Sequence, residues 1–155
     1  MNKKLFYVSV FLIFTLLMIG CGGVPPSTST GITGNWTMTN LVESTNNPLH
    51  GVGATTTVKC YISDSSGSLT ISNFRIVNQE GINWSTGYGT FSKPTISANV
   101  NGSYLNTYGQ TVTTIIYFEG TIGSSGISGA GTWVQTMSVA GYTWTTSGST
   151  VFVKG

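Results

Sequence analysis

Val58-Lys59-Cys60-Tyr61-Ile62-Ser63-Asp64-Ser65-Ser66-Gly67-Ser68-Leu69-Thr70-Ile71 is the stretch that decides the fold. Val58, Cys60 and Ile62 alternate with Lys59, Tyr61 and Ser63, the period of two expected of a strand with one buried face. Asp64-Ser65-Ser66-Gly67 then reads as a hairpin turn, because an Asp side chain bonds backbone just ahead of it and Gly accepts positive φ. Leu69 and Ile71 resume the alternation on the return strand. Phe74 and Ile76 fall on the opposite parity, and a one-residue bulge at Ser72-Asn73 would bring all four to one face.

The same pattern runs outward in both directions from this hairpin. β-branched and aromatic residues alternate with polar ones, and Gly, Asn, Ser and Pro punctuate them. Strands are expected near 34–42, 52–62, 67–77, 82–91, 94–100, 110–119, 121–136 and 142–154. The seventh holds a turn or bend at Gly123-Ser124-Ser125-Gly126, and Asn101-Gly102 is a further turn signal. No segment carries a 3.6-residue apolar period. Evenly spaced turns without crossover helices imply antiparallel pairing, in a barrel or in a β-sandwich.

The first residues differ in kind. Lys3 and Lys4 precede an apolar run from 5 to 20, broken only by Ser9 and Thr15. As a helix it would reach roughly 24 Å, short of a hydrocarbon core of about 30 Å. The run ends in Leu17-Met18-Ile19-Gly20-Cys21, which resembles the lipobox of a bacterial lipoprotein signal peptide. The resemblance implies that 1–20 is removed and that Cys21 becomes a lipidated first residue. Two or more acyl chains there would give stable anchoring. Gly22 in place of Asp leans toward the outer membrane if the host is Gram-negative. Residues 21–33 are expected to be the lipidated cysteine and a flexible tether, rich in Gly, Pro, Ser and Thr. Residues 34–155 form the exported domain.

After the signal, Lys59, Arg75, Lys93 and Lys154 balance Glu43, Asp64, Glu80 and Glu119. A neutral domain without a basic patch is not expected to bind nucleic acid. With Cys21 lipidated, Cys60 has no cysteine to pair with, and its place between Val58 and Ile62 makes it a small buried hydrophobe.

Two features select the barrel. Gly34-Asn35-Trp36 opens the domain and Val151-Phe152-Val153-Lys154 closes it. Together they resemble the lipocalin-like, or calycin, family of eight-stranded up-and-down antiparallel barrels. The resemblance implies that Trp36 plugs one end of the barrel and that Lys154 on the last strand covers it.

Motifs for chemistry are scarce. His50 is the single histidine and sits in a loop, Asn47-Pro48-Leu49-His50-Gly51, with no nucleophile elbow elsewhere. The four acids fall on separate strands or turns, without the pairing that glycoside hydrolysis needs. Glu119, after Ile115-Ile116-Tyr117-Phe118, is expected to point outward. No enzyme activity, cofactor or metal site is expected. The aromatics remain. Trp84, Tyr88, Phe91 and Trp144 would line an apolar cavity inside a barrel, stack on a partner from its surface, or serve as plain core. The expectation carried forward is a membrane-anchored envelope lipoprotein whose barrel binds a small apolar ligand through these four. The alternative is a structural or adhesive protein acting through an exposed β surface.

Overall fold

A computed structural model describes residues 31–155. The expected signal peptide, Cys21 and linker residues 22–30 lie outside the described residues. The elements are β1 (Gly34–Thr45), β2 (Thr55–Ser65), β3 (Ser68–Ile76), β4 (Asn83–Trp84), β5 (Gly87–Ser92), β6 (Thr95–Leu105), β7 (Thr111–Ile122), β8 (Ser128–Val139) and β9 (Tyr142–Lys154).

Strand follows strand around a ring. β1, β2, β3, β5, β6, β7, β8 and β9 each pair antiparallel with the next, and β9 returns to β1. The result is a closed eight-stranded up-and-down barrel. Closure removes every long sheet edge, which otherwise invites pairing with another chain. β4 is an accessory to this ring. It pairs with β6 beyond the end of β5, and Ser85 N–H bonds the Asn101 carbonyl at 2.9 Å between them. The single strand expected over 82–91 is therefore bent into two pieces that cross β6 in succession.

The opening hairpin follows its chemistry. Ser66 and Gly67 form its two-residue loop, with φ of 54° and 90°, and Gly67 N–H donates to Asp64 Oδ1 at 2.9 Å. Positive φ at both loop residues matches the twist of the flanking strands. The bulge is present too. Asn73, with φ of 52°, and Phe74 together oppose Cys60, so Leu69, Ile71, Phe74 and Ile76 are all buried. The segment 123–127 makes the β7–β8 hairpin, so Thr121 and Ile122 end β7 instead of beginning the next strand.

Asn101-Gly102 is not a turn. Both residues lie within β6, which runs on to Leu105. The glycine serves packing instead: a Cβ there would sit 2.6 Å from Trp84 Cε3. The missing side chain is the slot that admits the indole.

One end of the barrel is sealed. Trp36 is fully buried beside Phe118, Phe152 and Ile62, and its indole N–H donates to the Ile32 carbonyl at 2.6 Å. Lys154 lies directly opposite Trp36 across the β1–β9 ladder. Its ammonium donates to the Gly31 carbonyl at 3.2 Å. Gly34 leaves room for that lysine stem, since a Cβ would meet Lys154 Cε at 2.6 Å. The last residues of the expected tether thus fold onto the barrel. Ile32 is fully buried, and Thr33 Oγ1 accepts from Asp64 N–H at 2.9 Å.

Candidate ligand-binding cavity

The opposite end carries the loops 46–54, 77–82 and 106–110, and it is built from different residues. Buried polar side chains stand there among apolar ones such as Val42, Ile76 and Val112. Thr114 on β7, Gln135 on β8 and Thr146 on β9 are all buried, and Asn40 and Thr150 continue the polar column deeper into the barrel. A barrel interior can hold such groups only when they are hydrogen-bonded or face an accessible space.

Part of this set is paired within the protein. Gln135 Nε2 donates to Thr114 Oγ1 at 3.1 Å. Thr146 Oγ1 shares hydrogen bonds with Thr45 Oγ1 at 2.8 Å and with His50 Nδ1 at 3.2 Å. Asn40 Oδ1 and Thr150 Oγ1, opposite each other on β1 and β9, are buried without a partner among the described residues.

The loop 46–54 is pinned across this end. Asn46 N–H bonds the Thr145 carbonyl at 3.1 Å, and Asn46 Oδ1 accepts from Thr145 N–H at 2.7 Å. Asn47 is buried; its Oδ1 accepts from Leu49 N–H at 3.0 Å and its Nδ2 approaches Met137 Sδ at 3.5 Å. That local turn delivers His50 to Thr146. The loop that carries His50 is therefore a structured cover.

Between this cover and the loop 77–82 lies a cavity of about 430 Å³. Thr114 and Gln135 form its polar depth, Tyr104 and Met137 stand at its sides, and Asn47, His50, Gln79 and Glu80 reach it from the two loops. Leu49 and Ile82 supply apolar edges. The volume lies within the range of small-molecule sites, about 300–1,000 Å³.

The four aromatics expected to line a cavity are dispersed. Trp84 lies on the inward face of the wall against Phe74, ring centroids 4.7 Å apart, and its Nε1 is buried without a partner among the described residues. Phe91 is half-buried at the sealed end, opposite Ile96 and packed on the core. Trp144 is half-buried opposite Met137 near the open rim. Tyr88 points outward and is 62% exposed. None of the four is among the residues around the cavity at the open end. An outer groove of about 480 Å³ does include Trp84, together with Lys59, Arg75 and the loop 77–82.

The residues at the open end escaped sequence reasoning for a physical reason. A Thr or Gln on an inward strand position is indistinguishable from an outward polar residue unless its parity is followed. Trp133-Val134-Gln135-Thr136-Met137 carried that signal, since Gln135 shares parity with the buried Trp133. A second bulge, between Val42 and Ser44, shifts the β1 register and hides the inward turn of Thr45.

Cys60 is buried in the wall, and burial pushes its thiol up to about 12. Glu119 is on the outer face, where its Oε2 accepts from Tyr117 Oη–H at 2.8 Å. Among the described residues, no three His, Cys, Asp or Glu side chains cluster as a metal site. No family model, curated protein or solved structure matches the chain.

Proposed function

We propose that this chain is a lipoprotein of the bacterial cell envelope, held to its membrane by lipid on Cys21, whose barrel binds a small molecule without chemically changing it. The observation that carries the binding half is the contrast between the two barrel ends. One is sealed by Trp36 and Lys154; the other keeps a cavity of about 430 Å³ under a pinned loop. A barrel built only to be rigid has no need to hold buried Thr114 and Gln135 beside an accessible space, because apolar side chains fill an interior at lower cost.

The lipobox supports the anchoring half, and the fold is consistent with it. Gly31 lies at the sealed end, beside Lys154. Gly31 is thus on the side of the barrel opposite the cavity, which would leave the cavity free of a lipid attached at Cys21. Gly22 favours the outer membrane in a Gram-negative host. The scatter of histidine and carboxylates favours binding over catalysis.

Two measurements on the full chain test these halves separately. Expressed with its own signal, the wild-type chain incorporates a palmitate analogue and sediments with membranes. Cys21→Ser does neither; a variant that still labels and sediments overturns the anchor. Native mass spectrometry of the chain extracted from its envelope shows a non-covalent adduct besides the lipid. Extraction that consistently yields the bare lipidated mass contradicts the binding function.

A further inference from the structure

The open-end cavity says which chemistry it would hold, on the premise that it is the binding site. We infer that its ligand is an uncharged, hydroxyl- and amide-bearing molecule about the size of a single sugar ring, and not the apolar molecule that the aromatic content suggests.

Charge is the first discriminator. Among the described residues no Lys or Arg lines the cavity, and Glu80 is the one acidic residue that does. A carboxylate or phosphate would enter beside Glu80 with no Lys or Arg among the described lining residues to receive it. Hydrogen-bonding capacity is the second. Gln135 spends one amide proton on Thr114, which leaves its carbonyl oxygen and second proton for a ligand. Thr114 accepts that bond and retains its hydroxyl proton. His50 uses Nδ1 on Thr146, leaving Nε2. The Tyr104 hydroxyl makes no hydrogen bond among the described residues. The cavity thus offers both donors and acceptors, which a polyol can match and a hydrocarbon would leave unpaired.

Shape is the third. Tyr104 and Met137 give the walls a ring face and a polarisable thioether, which suit the C–H face of a pyranose. An acyl chain would need an apolar interior below, and that interior is filled by Trp36, Phe118 and Phe152.

Calorimetry on the full chain tests this with N-acetylglucosamine, dodecanol, inorganic phosphate and choline as probes. N-acetylglucosamine is expected to bind one to one, and the other three not to bind. Gln135→Leu should weaken it by roughly tenfold or more, as expected when a buried hydrogen-bonding partner is lost. Tyr104→Phe, which removes only a hydroxyl and keeps the ring, should weaken it several-fold, so a folding failure of the first variant leaves the test intact. Binding of dodecanol, phosphate or choline in place of the sugar overturns the inference and leaves the binding function standing. Sugar binding that is indifferent to both variants overturns the assignment to this cavity. Failure of all four probes overturns the ligand class, and the native mass spectrum then decides whether the barrel carries any ligand.

Discussion

Trp36 does two jobs that no smaller side chain combines. Its ring fills the sealed end, and its N–H satisfies the Ile32 carbonyl inside the core. Trp36→Ala is expected to cost about 3–5 kcal/mol of folding stability in a denaturant titration, the range for deleting a large buried ring. Trp36→Phe should cost less, and the remainder measures the lost hydrogen bond plus the smaller ring. Cys60 gives a residue-scale test in pH. Its thiol ionises near 9.0 when exposed and near 12 in the folded barrel. Between those values the folded chain holds the proton that the unfolded chain has lost, so stability falls as pH rises across that window. The slope is about 1.4 kcal/mol per pH unit. Cys60→Val should flatten the curve of stability against pH between 9 and 11; an unchanged slope assigns the loss to other groups. Trp36 and Cys60 were legible in the sequence because each stands in phase with apolar neighbours. Gln135 and Thr146 were not, because polar residues on either face look alike until the register is known.

At the scale of elements, the glycines of β7 and β8 decide how closely the two strands pack. Gly120 and Gly131 face each other across the ladder. A Cβ at Gly120 would sit 2.7 Å from Phe152 Cε2, and one at Gly131 would sit 2.5 Å from Gly120 Cα and press on the Glu119 carbonyl. The missing side chain at Gly120 leaves room for the Phe152 ring near the sealed end. Gly131→Val should therefore destabilise by at least about 1–3 kcal/mol, the cost of overpacking, read as a lower thermal midpoint. A valine tolerated without loss would mean that the strands can part. The eight principal strands were legible because alternation is strong in each. The exceptions share one cause: glycine and asparagine serve several purposes. In Asp64-Ser65-Ser66-Gly67 the glycine makes a turn; in Asn101-Gly102 it makes room for Trp84 within a continuing strand. Local sequence does not say which, because the demand comes from a side chain eighteen residues away.

For the whole molecule, the ring of ladders divides the interior into two unlike halves. The half near Trp36 is apolar and filled; the half near His50 and Gln135 mixes buried polar side chains with apolar ones and reaches the cavity. The closed antiparallel barrel was readable from sequence through its alternating strands and the Gly-x-Trp opening. The four aromatics expected to line an apolar cavity are dispersed over the barrel, because sequence alone does not say which face each occupies. Tyr88, turned outward, is the clearest case. The direct test is therefore where a ligand is felt. Amide chemical shifts of the full chain, followed while N-acetylglucosamine is added, should move in the loops 46–54 and 77–82 and at Tyr104, Thr114 and Gln135. Those of Trp36, Phe152 and Lys154 should stay still. Shifts confined to the outer face around Tyr88, Ile115 and Tyr117, with the cavity residues unmoved, would contradict the account and make the exposed β surface the functional part.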